Sequence, residues 1–169
     1  MASLGGVSSG DYIRPFRNCT LRHFPEDATQ TFVKGDPLIQ GAAGVEHKVK
    51  IAGDNPTSAI VGIAAEDATG TTGNKVAVWL AEPHAEFIGR GDATDTVDFT
   101  DIGAKRPLEI DATNDIWRVE TDDAGNDCVV VLQFRDPVTR EVLTAEGGTD
   151  PLIVFRFVEA ATVYGDANE

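Results

Sequence analysis

Cysteine is scarce in this sequence: only Cys19 and Cys128 occur, far apart in a chain of 169 residues. A chain of this length can bury a core without disulfides, so we expect a single domain with two reduced, structural thiols. The sequence also lacks any stretch close to the ~18 consecutive apolar residues of a membrane span. Its start lacks the basic and then apolar pattern of a secretory signal. We therefore expect no membrane partner.

Positive charge is scarce as well. The chain has 14 basic and 28 acidic residues, which gives a formal net charge of −14. Such a surface repels nucleic acid, so we predict no direct nucleic-acid partner. Residues 1–24 differ from the rest, because they contain three arginines and one aspartate. This asymmetry is either chance or the mark of an arm that docks on an acidic or polar partner, and charge alone leaves both interpretations open.

A phosphate-binding loop is missing, although one glycine-rich run invites the comparison. The run VGIAAEDATGTTGNKVAVWL (61–80) has Gly70 and Gly73 only three positions apart, and Val76 stands where a hydroxyl should bind magnesium. The residues that follow alternate in hydrophobicity like a strand, so no helix N-terminus is available to hold an anion. The pattern indicates a corner between two strands.

Other catalytic motifs are incomplete. His84-Ala85-Glu86 matches half of a zinc deaminase signature, but the chain has no C-x-x-C. We expect His84 and Glu86 to share the solvated face of a strand. No G-x-S-x-G elbow is present. An acidic series and an acidic tip (122–127) fit turns better than calcium loops; the series is Asp92, Asp95, Asp98 and Asp101. We predict no catalytic residue, no metal site and no cofactor, and a protein that is not an enzyme.

Helical patterns longer than two turns are absent. The chain has 17 glycines and 8 prolines, and they separate short apolar segments typical of strands. The predicted strands are 31–33, 38–40, 45–51, 59–64, 75–80, 84–88, 107–110, 116–120, 128–134 and 152–158. A helical turn is expected at 66–68, a surface loop at 91–105 and a hairpin tip at 122–127. The pattern predicts an all-β fold, an antiparallel barrel or sandwich. We expect an extended N-terminal arm (1–28) and one β-rich body (29–169).

Three stretches within residues 30–90 are similar to a known family. They are Lys34-Gly35-Asp36 followed by Leu38-Ile39, the segment GIAAEDA (62–68), and the strand KVAVWL (75–80). This combination resembles tailed-phage capsid decoration (cement) proteins. In this comparison Gly62 permits a close backbone approach, while the glycines of the corner at 70–73 turn the chain back. Residues 91–169 are then a β-rich elaboration.

The resemblance implies a virion protein with a β-tulip-like barrel. It would form a homotrimer on the outer surface of an icosahedral phage head, after assembly in the host cytoplasm. It would bind the major capsid protein and stabilise the shell against the pressure of packaged DNA. Aromatic and arginine side chains are typical interface anchors, so we expect the arm to dock through Tyr12, Ile13, Arg14, Phe16, Arg17 and Phe24. Deletion of residues 1–20 should then leave a folded body that no longer binds capsids.

Two alternative functions stay open. The chain could be another phage structural protein, such as a head-fibre base or a tail component. It could instead be a ligand-binding β-sandwich or a hydrolase with an unrecognised carboxylate pair. A deep pocket that contains perturbed carboxylates would favour the ligand-binding alternative, whereas a flat trimer with an ordered arm would oppose it.

Overall fold

The computed structural model describes residues 12–41, 47–57, 59–94, 96–111, 113–121 and 125–163. The fold is all-β, as predicted, with a nearly closed barrel-like sheet and a second sheet. The strands are β1 (Arg14–Arg17), β2 (Leu21–Pro25), β3 (Pro37–Gln40), β4 (Val49–Ile51), β5 (Ile60–Ala64), β6 (Lys75–Leu80), β7 (Glu86–Gly91), β8 (Lys105–Arg106), β9 (Leu108–Asp111), β10 (Ile116–Val119), β11 (Val129–Arg135) and β12 (Leu152–Phe157). Single 3-10 turns lie at Phe99–Asp101 and Glu159–Ala161.

The larger sheet has the strand order β8-β11-β12-β7-β10-β9, and β1 also pairs with β7. Strand β7 is antiparallel to β12 and to β1. It is parallel to β10, where Arg118 lies opposite Arg90. The predicted all-β fold is thus antiparallel between its described strands except at this β7–β10 pair. Strand β1 pairs with the first half of β7 and strand β10 with the second half. The residues just before β1 therefore lie close to the residues just before and at the start of β10.

The smaller sheet has the order β2-β6-β5-β3-β4 and is antiparallel throughout. All five residues of β5 are buried. Ile60 and Ile63 belong to the main core, whereas Val61 and Ala64 belong to a second cluster with Val78. This grouping departs from the strict alternation of side chains along a strand, because the pairing of β5 with β3 shifts register between Leu38 and Ile39. Strand β5 thus contacts a core on each side. This double burial explains the uninterrupted apolar run of its sequence.

The main core lies between the two sheets and is built around three aromatic rings. The centroids of Phe87 and Phe157 are 5.5 Å apart and those of Phe155 and Phe157 are 5.7 Å apart, both in edge-to-face geometry. Each such pair contributes roughly 0.5–1.5 kcal/mol beyond the burial of its area. These residues lie on β7 and β12, the paired central strands of the larger sheet. The centre of the molecule is therefore held by strands nearly seventy residues apart in sequence.

The segment that the sequence suggested as an arm (1–28) belongs to the body over its described part. Strand β1 pairs with β7, and β2 pairs with β6. Ile13 is 1% exposed and lies in the main core. The expectation that residues 1–20 can be deleted without unfolding the body is therefore not compatible with this packing. Residues 1–11 lie outside the described residues.

Several local predictions need correction. Residues 31–33 are not a strand and residues 66–68 are not a helical turn. Strands β10 and β11 do not pair with each other, so the described residues do not form the predicted hairpin. Residues 122–124 of its predicted tip (122–127) lie outside the described residues. The loop at 91–105 contains a 3-10 turn and buries Val97 and Asp101, so it is only partly a surface excursion. The remaining predicted strands agree with observed ones within a few residues.

Candidate functional site

A cluster of arginines surrounds Phe16 on the outer face of the larger sheet. The guanidinium groups of Arg17 and Arg135 each lie 4.9 Å from the centroid of the Phe16 ring. The ring packs on a small apolar cluster that contains Ile88 and Val154. A cation over a ring face within about 6 Å is attracted by the ring's electron density. Phe16 therefore anchors two positive charges at one place on the surface.

Two further arginines extend this cluster. The pKa of Arg14 is lowered, first by partial burial and then by repulsion from the positive charge of Arg140. Arg135 donates hydrogen bonds from Nε to Gln133 Oε1 (2.9 Å) and from Nη1 to the Arg140 carbonyl oxygen (2.7 Å). These bonds fix the segment after β11 relative to Arg135, and the contact of Arg135 with Phe16 connects it to β1. We call Arg14, Phe16, Arg17, Arg135 and Arg140 the arginine patch.

The local geometry of β1 helps to form the arginine patch. The pairing with β7 shifts register between Pro15 and Arg17, and such an irregularity re-aims side chains. Glu86 lies opposite Arg17 in this register. Another acid of the region, Asp136, accepts hydrogen bonds from the backbone of Val138 (2.8 Å) and Thr139 (2.7 Å). The Asp136 carboxylate thus stabilises the turn that follows it in sequence. An acidic surface is the partner that suits four guanidinium groups so placed.

The structure divides the six residues that the sequence suggested for docking. Arg14, Phe16 and Arg17 come together in the arginine patch. Tyr12 borders a cavity described below, and Phe24 packs against the second core cluster of the smaller sheet. Ile13 is a buried core residue, so its side chain is not accessible to a partner. Arg135 and Arg140 were missed, because nothing local in the sequence indicates that a side chain from the end of β11 reaches Phe16 of β1 across the face of the sheet.

Strand β2 forms one edge of the smaller sheet. It pairs only with β6 among the described strands. The Thr20 carbonyl accepts a hydrogen bond from Leu80 N (2.9 Å), and Glu26 N donates to the Asn74 carbonyl (2.8 Å). Because backbone groups alternate along a strand, those of Leu21 and His23 face away from β6. Leu21, at 44% exposure, is also the apolar side chain that this edge presents.

A cavity of about 300 Å³ lies where the two sheets meet. The larger sheet contributes Tyr12 and Ile13, just before β1, and residues 115–117 at the start of β10. The smaller sheet contributes the turn at 33–36 before β3 and Asp67 after β5. The predicted Lys34-Gly35-Asp36 turn therefore forms part of its wall. The surface of the cavity is mainly apolar.

Asp36 is the most perturbed carboxyl group of the cavity. Its Oδ2 accepts a hydrogen bond from Val33 N (2.8 Å), and the Trp117 side chain donates another to the carboxylate. Burial nevertheless raises the pKa of Asp36, and with the smaller effect of the negative charges of Asp115 and Asp67 this pKa reaches about 6. Opposite these acids, the Lys34 ammonium lies 5.4 Å from the centroid of the Tyr12 ring.

The motifs that suggested metal chemistry form no cluster of ligands. Strand β7 begins at Glu86 and His84 lies in the preceding turn, so the prediction that the two share a strand face is wrong. His84 Nε2 instead lies 3.6 Å from Glu82 Oε2. Asp98 caps the 3-10 turn by accepting from Thr100 N. Within the described residues, no group of three or more His, Cys, Asp or Glu side chains could hold a metal ion.

A network of partly buried charges around Arg118 connects neighbouring strands. The Arg118 guanidinium donates to Asp111 Oδ2 (2.9 Å), to Asp150 Oδ1 (3.0 Å) and to the Gly91 carbonyl (2.7 Å). Arg90 also donates to Asp150, at 2.8 Å. These contacts connect β7, β9 and β10 with the residues before β12. They hold the parallel β7–β10 pair in place and occupy both Nε and Nη1 of Arg118.

The chain was also compared with protein-family models, curated proteins and solved structures. No match was found in any of the three comparisons. No helix among the described residues is long and apolar enough to cross a membrane. The surface features of the described residues that suit a partner or ligand are the arginine patch, the edge of β2 and the cavity.

Proposed function

We propose that this chain is a virion structural protein, a capsid decoration protein that binds the major capsid protein on the outside of an icosahedral phage head. It acts as a homotrimer and by adhesion, without a cofactor or a chemical reaction. Each copy joins neighbouring capsid subunits, and contacts repeated over a shell add to a strong attachment even when one contact is weak. The resemblance of residues 30–90 to this family supports the proposal.

The observation that carries the proposal is the arginine patch. A chain with a net charge of −14 places two arginines, Arg17 and Arg135, over one half-buried phenylalanine. A further pair, Arg14 and Arg140, adjoins them. Arginine and aromatic side chains are enriched at protein interfaces, where planar guanidinium groups bind carboxylates in pairs. The remaining acidic surface repels DNA, so an acidic protein surface on the exterior of a head is the better partner.

Strand β2 supplies a second point of attachment. Its outward backbone groups at Leu21 and His23 can accept an extended segment of the capsid protein as an added strand. The same edge carries Arg22 and His23, both exposed. Strand addition at this edge and ion pairing at the arginine patch would both favour an acidic, extended partner segment.

The first test locates the chain on particles of the phage whose genome encodes it, by immunogold electron microscopy. Labelling distributed over the head surface supports the proposal. Labelling at a fibre base or at the tail favours the alternative phage roles, and particles without label contradict a virion protein.

A second test measures co-sedimentation of the purified chain with such heads. The double variant Arg17→Glu/Arg135→Glu should bind at least about tenfold more weakly, because each reversal replaces an attraction by a repulsion. The variant Lys75→Glu is the control, since it changes charge at an exposed position of β6 in the smaller sheet. Equal binding by the wild type and the double variant would contradict docking through the arginine patch.

The cavity favours a second candidate function, a β-protein that binds a small ligand. A mainly apolar pocket that contains a carboxyl group with a raised pKa is a common feature of ligand sites. A hydrolase would need a second carboxylate aligned with Asp36. Asp67 instead uses Oδ1 to accept a hydrogen bond from Lys34 N (2.8 Å). Binding without hydrolysis is therefore the better version of this alternative.

A further inference from the structure

The cavity between the sheets combines an apolar wall with a concentration of negative charge. Its apolar and aromatic wall consists of Tyr12, Ile13, Val33, Ile116 and Trp117. Its charged groups are three acids, Asp36, Asp67 and Asp115, and one base, Lys34. The lining therefore has an excess of two negative charges when all groups are ionised. A neutral apolar ligand would leave this excess uncompensated.

The side chains are held in place before any ligand enters. The Trp117 side chain, 5% exposed, is anchored by its hydrogen bond to the Asp36 carboxylate. Tyr12 packs against Gly35, where an added Cβ would lie 2.6 Å from the Tyr12 Cβ. Gly35 also has a φ of +97°, a conformation that glycine adopts without strain. The turn and the two aromatic residues thus form a preorganised wall.

The chain itself places a cation beside this wall. The Lys34 ammonium lies 5.4 Å from the centroid of the Tyr12 ring, and Lys34 is exposed. The electrostatic environment of the cavity therefore attracts an alkylammonium group. The Lys34 ammonium is carried on a flexible side chain, so it can move away from the ring into the solvent. A ligand of the same chemistry would compete with Lys34 for the ring.

We propose that this cavity is a binding site for a small organic cation with an apolar body, its charge against Asp36 and its body against Trp117 and Tyr12. The site is independent of the capsid-docking role. A volume of about 300 Å³ lies at the lower end of ligand pockets. It therefore fits a primary amine with a short alkyl or aryl group, or the side chain of one lysine. A free primary amine and a lysine side chain of a polypeptide present the same ammonium group on an apolar body, and the experiment below distinguishes them.

The test is isothermal titration of the full chain with phenethylammonium at about pH 7.5, where Asp36 is mostly ionised. The matched neutral probe is 2-phenylethanol. We expect the amine to bind at least about tenfold more tightly than the alcohol, because only the amine compensates the buried negative charge. N-acetyl-lysine N-methylamide is the third probe. Binding of this probe as tight as that of the amine identifies a polypeptide side chain as the ligand, and much weaker binding identifies a free amine.

Variants separate this site from a general attraction to an acidic protein. Asp36→Asn should weaken binding of the amine about tenfold and leave binding of the alcohol nearly unchanged. Asp127→Asn removes the same charge beyond the other end of β10 and should have no effect. Lys34→Gln removes the competing ammonium and should tighten binding more than Lys75→Gln does. Binding should also weaken by up to about tenfold near pH 5, and this loss should be absent in Asp36→Asn.

Three results would overturn the proposal. The alcohol could bind as tightly as the amine, which would indicate a merely apolar cavity. Asp36→Asn and Asp127→Asn could weaken the amine equally, which would indicate a general effect of net charge. No heat and no change in tryptophan fluorescence, to which Trp79 and Trp117 both contribute, with any probe would show that the cavity holds no such ligand. Circular dichroism of each variant verifies that the fold is intact.

Discussion

At the scale of single residues, Gly62 has the closest neighbouring backbone among the glycines of the described residues. An added Cβ at this position would lie 1.9 Å from the carbonyl oxygen of Trp79 on the paired strand β6. The sequence-based prediction that Gly62 allows a close approach is therefore confirmed. The glycines of the neighbouring corner, Gly70 and Gly73, have φ values of +73° and +83°, which confirms their predicted role in turning the chain.

This geometry makes Gly62→Ala strongly destabilising. The clash is with backbone, which cannot rotate away like a side chain, so strands β5 and β6 would have to separate. We expect a loss of about 3 kcal/mol or more in the free energy of unfolding, measured by urea denaturation. Gly53→Ala is the matched control, because an added Cβ there has no atom within 4 Å. Similar stabilities of the two variants would refute the predicted close contact.

Asp36 gives a second prediction at this scale. Its pKa is raised from 3.8 to about 6, so the native state binds a proton that the unfolded state releases. The ionisation of Asp36 therefore lowers the free energy of unfolding as the pH rises from about 4 to about 6. Asparagine cannot ionise. Relative to the wild type, Asp36→Asn should thus gain stability between about pH 4 and pH 7.5. Denaturation at several pH values measures this gain, and a constant difference would contradict it.

At the scale of elements, sequence patterns identified most strands but not their partners. The apolar run of β5 and the alternation of β6 are local signals, and the structure has both strands where they were predicted. The parallel pairing of β7 with β10, by contrast, depends on contacts such as those of Arg118, which lie far apart in sequence. Periodicity records which face of a strand is buried. It does not record which strand lies beside it.

The candidate site likewise has residues that the sequence indicates and residues that only the fold brings to them. Composition alone singled out Arg14 and Arg17 as unusual in an acidic chain. Of the arginines that complete the arginine patch, Arg135 ends an ordinary apolar strand and Arg140 lies in the segment after it. Only the β1–β7–β12–β11 order of the sheet brings Arg135 to Phe16. The cavity was not foreseen either, because its wall is assembled from both sheets. A sequence can indicate a charged anchor, but a concave surface depends on the tertiary fold.

The pairing of β1 predicts different results for two truncations. Deletion of residues 1–11 keeps Ile13 and β1, so the described fold should persist. Deletion of residues 1–20 removes Ile13 from the main core and removes the neighbour of β7, and loss of one buried isoleucine alone costs about 2–5 kcal/mol. The longer deletion should therefore lower the melting temperature sharply or prevent folding. Thermal circular dichroism compares the two, and equal melting temperatures would mean that β1 is a dispensable arm.

At the scale of the whole molecule, charge is distributed unequally between surfaces. The net charge of −14 means that copies of this chain repel one another, whereas the arginine patch attracts acidic partners. Added ions screen both the repulsion between copies and the attraction of the arginine patch to an acidic partner. Docking through the arginine patch should weaken as salt is added. Association between copies through any other surface should strengthen.

The dependence of self-association on salt tests the proposed homotrimer. Light scattering after size exclusion should give three times the 18.0 kDa mass of one chain, and the trimer should be favoured by raising NaCl from about 0.05 M to 0.5 M. The variant Arg17→Glu/Arg135→Glu should remain trimeric, since the arginine patch faces the capsid in our proposal. If this variant becomes monomeric while Lys75→Glu does not, the arginine patch holds the copies together instead. A wild-type monomer at every salt and protein concentration would remove the trimer from the proposal.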